Sequence, residues 1–379
     1  MRKTVRNRAL GVTLGVLTIA SLSVSVAATS ASAGPAPATT AAASGDVSSD
    51  SPVTKAARKA GVAKFGADAT AAESITAYWT PERMRNATPV EESPDLVKAA
   101  SAYEAKVRAE LKAGKKVKSN DGPTRTFEGA PSKLFATVDG PTAAAYNPNL
   151  PYYSPTAYTA GKVFFTKPGV GNYVCSGTII NSEGKDTVWT AGHCVHGGSG
   201  AGWHSNFAFV PSYDDDLANP RPYGTWTSGQ LWSRTAWTNS SDFSQDIGVA
   251  IMNTNASGWH IVDYFGGQGF TVNKGKSGVY EYAFGYPAES PFDGGNLYRC
   301  QGSTSPEWDY FFTWSQTVKI PCDMTRGSSG GGWLNGYNGN WGYLNGVNSR
   351  IDRIVGPTIM LSPYFDDDAL SLFNSTRYL

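Results

Sequence analysis

The spacing of apolar residues along the chain changes twice, and each part predicts a different kind of structure. A nearly continuous apolar run extends from Ala9 to about Ala28. Two stretches with helical spacing follow, one within 71–86 and one that starts at 93–95. From Gly161 onward the apolar residues come in short runs between turn-forming residues, which predicts strands.

The strand predictions all lie in the last part of the chain and favour an all-β barrel or sandwich. They cover residues 162–166, 173–180, 188–191, 207–210, 247–252, 279–284, 310–318 and 343–348. A helix is expected to close the chain at about Asp367–Phe373, with acidic residues in its first turn.

The second helical stretch has a well-marked start and end. Pro94 and Asp95 suit a first turn, and Gly114 suits a stop. One face carries Leu96, Ala100, Tyr103, Val107 and Leu111. Residues 34–54 are too poor in large apolar side chains to fold alone, and the Pro- and Gly-rich residues 119–155 predict a linker.

The first 33 residues have the layout of a secretory signal peptide. Basic residues precede the apolar run, and Ala31-Ser32-Ala33 favours cleavage between Ala33 and Gly34. The run also approaches the length of a membrane-anchoring helix, but its Ser, Thr and Gly content favours cleavage. We therefore expect a secreted, extracellular protein with no membrane association after cleavage.

Residues 34–159 and 160–379 differ in composition. All four Cys and ten of the eleven Trp lie in 160–379. The cysteine-free, helix-rich part 34–159 suits a propeptide, although an accessory domain that stays attached is the alternative. Processing is expected within 126–161, with Arg125/Thr126 and Lys133/Leu134 as basic candidates. The net charge of +1 argues against nucleic-acid binding.

Three residues of 160–379 could together supply a nucleophile, a base and an orienting acid. Ser329 lies in the sequence GSSGGGW, whose glycines let substrate and backbone N–H groups approach. His193, one of four histidines, ends a predicted strand within TAGHC. Asp246 opens an aliphatic strand. This set of side chains suits acyl transfer at a serine.

These three segments, in the order His, Asp, Ser, resemble the motifs of the trypsin/chymotrypsin-like serine peptidase family. The resemblance covers roughly 160–379 and is closest to bacterial secreted members, including the glutamyl endopeptidase branch. Residues 77–84, AYWTPERM, are also similar to stretches in the pro-regions of actinobacterial secreted peptidases.

The resemblance implies two six-stranded antiparallel β-barrels, with His193 and Asp246 in the first and Ser329 in the second. It implies endopeptidase activity on proteins or peptides through an acyl-enzyme. Backbone N–H groups of Gly327 and Ser329 would form the oxyanion hole. We expect no cofactor and no metal, and a monomer. A catalytically inactive binding module of the same fold is the alternative.

Four cysteines allow three pairings. The resemblance implies a Cys175–Cys194 bridge, and with it Cys300–Cys322. One departure is Ser328, which stands where trypsin has the aspartate that pairs with its new N-terminus. The activation switch of trypsin is therefore not expected here.

The preference for the residue before the cut stays open. Asp323 lies six residues before Ser329, where trypsin has its pocket aspartate, so a basic preference would follow. Thr325, however, replaces trypsin's pocket cysteine, and the strand after Ser329 lacks the histidine usual in glutamyl endopeptidases. Basic, small or apolar, and acidic preferences all remain candidates.

Three motifs of the sequence also match other kinds of site. Gly327-x-Ser329-x-Gly331 also matches the nucleophile elbow of α/β-hydrolases, but that fold needs a histidine after the serine, and none follows His260. A metal site could use the ligands His193, Cys194, His196 and His204, but HExxH and paired CxxC motifs are missing. The acidic runs 214–216 and 366–368 could bind calcium, or form turns and helix starts.

Overall fold

The computed structural model describes residues 45–115, 120–133, 158–307, 316–351 and 358–379. We call residues 45–133 the leading segment and residues 158–379 the β region. The predicted signal peptide and residues 134–157 of the predicted linker lie outside the described residues. In the described residues, no helix has the length and apolar character needed to cross a membrane.

The elements follow one another with helices mainly in the leading segment and strands in the β region. The helices are α1 (Lys55–Phe65), α2 (Ala71–Tyr78), α3 (Pro81–Arg85), α4 (Pro94–Lys112), α5 (Thr235–Ser240), α6 (Ile261–Phe265) and α7 (Asp367–Thr376). The leading segment contains strands β1 (Asp46–Asp50), β2 (Thr88–Pro89) and β3 (Arg125–Phe127). The β region contains β4 (Ala160–Lys167), β5 (Gly171–Ile179), β6 (Thr187–Thr190), β7 (Ser205–Pro211), β8 (Trp226–Arg234), β9 (Gly248–Met252), β10 (Gly269–Val272), β11 (Tyr280–Gly285), β12 (Tyr298–Ser303), β13 (Ser305–Pro306), β14 (Thr317–Pro321), β15 (Gly332–Asn335), β16 (Tyr343–Val347), β17 (Arg350–Ile351) and β18 (Ile359–Pro363).

The first half of the β region closes into the six-stranded antiparallel barrel that the family resemblance implied. Strands pair in the order β4, β5, β6, β9, β8 and β7, and β7 returns to β4. Every residue of β4 is buried, because one face fills the barrel and the other packs against further structure. Barrel closure brings the ends of β6 and β9 together, at Thr190 and Gly248.

The second half of the β region forms two sheets. One contains β12, β11, β15, β16 and β10, and the other contains β13, β14, β18 and β17. Strand β10 lies parallel to β16, whereas the other pairs within these strands are antiparallel. The short closing helix α7 is present, and the Asp366 side chain caps it by accepting from the Asp368 N–H. The all-β, chymotrypsin-like fold class is thus confirmed.

Strands of the leading segment are added to the sheets of the β region. Strand β1 pairs antiparallel with β8, β2 pairs parallel with β5, and β3 pairs antiparallel with β10. The linker prediction for 119–155 is therefore wrong at Arg125–Phe127. Composition missed this strand because an existing sheet edge orders it through backbone hydrogen bonds, without a core of its own.

The predicted helical stretch 71–86 is two helices, because Thr80 caps α3 and Pro81 occupies its first position. Between them Trp79 is fully buried, and its indole N–H donates to the Asn206 carbonyl at 2.7 Å. Its ring lies 5.4 Å from that of Phe164 on β4. The leading segment therefore contributes a large side chain to the core of the β region.

Candidate active site

His193 and Asp246 are brought together by the pairing of β6 with β9. His193 lies in the short 3₁₀ turn after β6, and Asp246 lies just before β9. The imidazole Nδ1 is 2.7 Å from Asp246 Oδ2, and the His193 backbone N–H donates to Oδ1 at 2.8 Å. Ser349, which follows β16, donates from its hydroxyl to Oδ2 at 2.6 Å. The carboxylate is fully buried, and these bonds fix its orientation and that of the imidazole.

The charge state of His193 is set by opposing effects. Burial of the imidazole lowers its pKa, but the charge and hydrogen bond of Asp246, together with the charge of Glu91, outweigh burial. The net result is a pKa of His193 above its ordinary value. Neighbouring His204, by contrast, has its pKa lowered to about 3, chiefly by burial, and its Nε2 lies 3.1 Å from the His193 carbonyl.

Ser329 lies in a tight loop that β5 holds in place. The Ser176 backbone N–H donates to the Ser329 carbonyl at 2.7 Å, and the Ser176 hydroxyl donates to the Gly327 carbonyl at 3.1 Å. Gly330 has a φ of +82°, and a Cβ there would lie 2.0 Å from Thr190 Oγ1. Only glycine fits at this position, since both the backbone conformation and the space exclude a side chain.

The hydroxyl of Ser329 donates to a carboxylate of the leading segment. That carboxylate belongs to Glu91, whose Oε1 accepts the serine hydrogen bond. The Gly327 backbone N–H also donates to Glu91, at 3.1 Å to Oε1 and 3.3 Å to Oε2. In the described part of the chain, His193 Nε2 is buried and has no hydrogen-bond partner. The serine hydroxyl therefore bonds to Glu91 instead of to the imidazole.

A cavity of about 90 Å³ lies beside Ser329, between the β region and α4. From the β region it is lined by Phe243, Thr325, Arg326, Ser328, Ser329, Ser349, Arg350, Ile351 and Met360. From the leading segment it is lined by Glu91, Leu96, Val97, Ala100, Ser101 and Glu104. Helix α4 and the turn before it thus cover this pocket.

Asp323 does not belong to the described lining of that cavity. Its Oδ1 lies 3.5 Å from Cys300 Sγ, against the second disulfide. Two arginines line the cavity instead, and both are paired with glutamates. Arg326 pairs with Glu289 at 3.0 Å, and Arg350 pairs with Glu307 at 3.0 Å.

The cysteines form the bridges Cys175–Cys194 and Cys300–Cys322. The donor atoms of the alternative metal site are therefore engaged elsewhere: Cys194 in a disulfide and His193 Nδ1 with Asp246. The acidic runs serve as a turn and a helix start, since Asp214 accepts from the Asp216 N–H and Asp366 caps α7.

Comparison with known proteins places this site in a family. No protein-family model matches the chain, and no curated protein does. Among solved structures, the thermostable serine protease AL20 from an extremophilic microorganism is 35% identical, with a TM-score of 0.53. The match covers 59% of this chain and 98% of that protease. Protease Anisep from Arthrobacter nicotinovorans is 38% identical, over 59% of this chain and 96% of its own, with a TM-score of 0.53.

The chain belongs to the trypsin/chymotrypsin-like serine peptidases. Membership implies protein or peptide substrates. Sequence reasoning selected His193, Asp246 and Ser329. The structure pairs His193 with Asp246, and it places the Ser329 carbonyl 3.8 Å from the sulfur of Cys194, the residue after His193. Sequence reasoning missed Ser349, which has no motif of its own, and Glu91, whose acidic side chain in a turn carries no catalytic pattern. A chain separation of 238 residues between Glu91 and Ser329 hides their contact from any local pattern.

Proposed function

We propose that the chain is a secreted serine endopeptidase, made as a precursor, that cuts peptide bonds through a Ser-His-Asp triad. Ser329 Oγ attacks the substrate carbonyl while His193 Nε2 takes its proton. The imidazolium then gives a proton to the leaving amine, and a water activated by His193 hydrolyses the acyl-enzyme. Asp246 holds the imidazole tautomer and stabilises its charged form.

The backbone N–H groups of Gly327 and Ser329 form the oxyanion hole in this proposal. A donor of this kind contributes roughly 3–4 kcal/mol to transition-state stabilisation. The Gly327 N–H already binds an anion, the Glu91 carboxylate. The observation that carries the proposal is this convergence: the Gly327 N–H and the Ser329 hydroxyl both donate to that one carboxylate, and its charge also acts on His193, which pairs with Asp246.

Export and processing complete the proposed function. Residues 1–33 direct secretion and are removed, and residues 34–159 form a propeptide. Two disulfides suit an oxidising compartment outside the cytoplasm. Of the two basic candidates, Arg125/Thr126 lies within strand β3, paired with β10, so a protease would have to open this pairing. Lys133 is held as well, since its N–H donates to the Asp263 carbonyl at 3.0 Å and its ammonium lies 2.9 Å from Asp263 Oδ2. N-terminal sequencing of the secreted protein tests which of the two candidates is cut.

The catalytic assignment is tested with a fluorophosphonate, which labels only an activated serine. We expect the processed enzyme, a monomer, to be labelled at Ser329, and Ser329→Ala to lower peptide hydrolysis by about 10⁶-fold. Ser303→Ala is the control, because Ser303 is an exposed serine at the end of β12 and does not line the pocket. Absence of labelling in the processed protein would favour a non-catalytic binding module.

A further inference from the structure

Glu91 occupies the place where negative charge develops in the proposed reaction. Its carboxylate accepts from the Ser329 hydroxyl and from the Gly327 N–H, and its charge raises the pKa of His193. A carboxylate supplies the same anionic oxygen that an oxyanion hole binds. Bonds from an N–H and an O–H to a charged acceptor are among the stronger hydrogen bonds in proteins.

The turn that carries Glu91 is held on both sides. Before it, β2 pairs with β5 at Thr88–Tyr173 and Pro89–Val174. The same strand β5 positions the serine loop through Ser176. A single strand therefore sets the place of both the carboxylate and its hydrogen-bond donors.

After the turn, Lys167 fixes the start of α4. Its ammonium lies 3.2 Å from Ser93 Oγ and 3.3 Å from Asp95 Oδ2. Val90 and Leu96, on either side of Glu91, are buried in the core of the β region. The backbone around Glu91 is thus anchored by sheet pairing, an ion pair and apolar packing, so the carboxylate is delivered in a fixed position.

Helix α4 covers the rest of the cleft. Glu104 lies 3.8 Å from the guanidinium of Arg350, and the Tyr103 ring centroid lies 5.1 Å from the Arg350 guanidinium carbon. A substrate peptide cannot reach the pocket while this helix is in place. The group that Glu91 presents to Ser329 is its side-chain carboxylate. Ser329 cannot cleave it, because a carboxylate has no leaving group and resists nucleophilic attack.

We propose that the oxyanion site is a carboxylate-binding site and that Glu91 is its built-in ligand, which holds the uncut chain inactive. The proposal rests on the proposed function. Glu91 acts in two ways: it fills the anion site, and it takes the Ser329 hydrogen bond that His193 Nε2 needs in order to accept the proton. Because these effects come from the carboxylate, they should weaken when its charge is removed, even with α4 still in place.

The test measures the rate at which a small fluorophosphonate labels Ser329 in the full-length, uncut chain. We expect Glu91→Ala to be labelled about 10- to 100-fold faster than wild type, with Glu91→Gln in between, because the amide keeps the shape and loses the charge. Glu92→Gln is the matched control, since Glu92 is the exposed next residue. It should react at the wild-type rate. Thermal unfolding of each variant checks that the fold is retained.

A second arm separates this proposal from the catalytic assignment. Wild-type chain is digested until mass spectrometry finds no peptide from residues 45–133 and an intact β region. One outcome is that this product is labelled, whereas uncut Glu91→Ala and Glu91→Gln are labelled as slowly as uncut wild type. This outcome overturns the role of Glu91 and leaves the peptidase assignment standing. If neither the digested wild type nor any uncut variant is labelled, the catalytic assignment is overturned, and the Glu91 proposal falls with it.

Discussion

The hydroxyl of Ser349 donates a 2.6 Å hydrogen bond to Asp246 and links the two halves of the β region at the candidate active site. Asp246 precedes β9 of the barrel, and Ser349 follows β16 of the second half. The buried carboxylate also receives the His193 backbone N–H and contacts its imidazole. The acid is therefore satisfied on both oxygens, and the imidazole is held against one of them.

Replacing Asp246 by Asn should lower kcat/KM of the processed enzyme by about 10⁴-fold, because the amide would favour the wrong imidazole tautomer. Asp242→Asn is the control, since Asp242 only caps the neighbouring turn through Ser244. Hydrolysis of a peptide substrate measures both variants. Near-normal turnover by the Asp246 variant would contradict its role as the orienting acid.

The pH dependence of the uncut chain should change when Glu91 loses its charge. The base must be neutral to accept a proton, so reactivity falls as pH drops through the pKa of His193. Because Glu91 helps to raise that pKa, Glu91→Gln should move the acid limb of the labelling profile to lower pH. The imidazole can be followed by NMR, since the chain has four histidines and His204, with a pKa of about 3, stays neutral. An unmoved limb would show that Glu91 does not act on His193.

Gly330→Ala should destabilise the enzyme strongly and abolish labelling. A left-handed backbone costs a non-glycine residue about 1–2 kcal/mol, and overpacking against Thr190 adds roughly 1–3 kcal/mol. Gly200→Ala isolates the first effect, because Gly200 has a φ of +75° and open space around it. Urea unfolding compares the two. Equal losses of unfolding free energy would mean that the loop has room for a Cβ.

Asp46→Asn should weaken the docking of strand β1, at the start of the leading segment, onto strand β8. The Asp46 side chain is buried, pairs with Arg234 and accepts from Ser375 at 2.8 Å. Asp50, exposed on the same strand, provides the control as Asp50→Asn. Hydrogen exchange of β1 amides should quicken in the first variant only. The same rate in both variants would assign the docking of β1 to its backbone pairing alone.

Asp323→Asn should leave the relative kcat/KM for Arg and apolar substrates unchanged. The carboxylate lies against Cys300 and outside the described lining of the pocket. A panel of peptides that differ only in the residue before the cut provides the measurement. Loss of an Arg or Lys preference in this variant would place Asp323 in the pocket after all.

Local sequence patterns were sufficient to predict the position of a strand where that strand is a continuous apolar run. Strands β4 to β7 and β9 lie within one or two residues of the predicted bounds, because their apolar runs are buried in the barrel. Strand β8 escaped prediction, since Gly229 and Gln230 interrupt its apolar residues and a register shift lies between Ser228 and Gln230. Strand β1 escaped too, because its stability comes from a partner elsewhere in the chain.

The residues of the candidate site also fall into two groups, those that local sequence marks and those that it does not. His193 and Ser329 can be recognised from the sequence because each has a glycine beside it, Gly192 and Gly330, that the local backbone and packing require. Glu91 and Ser349 act through contacts formed only in the folded chain, with nothing in their neighbours to mark them. Physical reasoning from sequence thus finds residues whose local backbone is unusual, and misses those whose role depends only on which distant residue they meet.

Loss of strand β1 in the proposed processing would change the surface of the barrel. Strand β1 pairs with β8 from Gln230 to Arg234, beyond the short stretch where β8 pairs with β7. Departure of β1 would leave this half of β8 as an open edge, with unpaired backbone donors and acceptors. Open edges invite strand addition by other chains and, with it, aggregation. Removal of the leading segment would therefore open the cleft to substrate and, at the same time, expose a strand edge that favours aggregation.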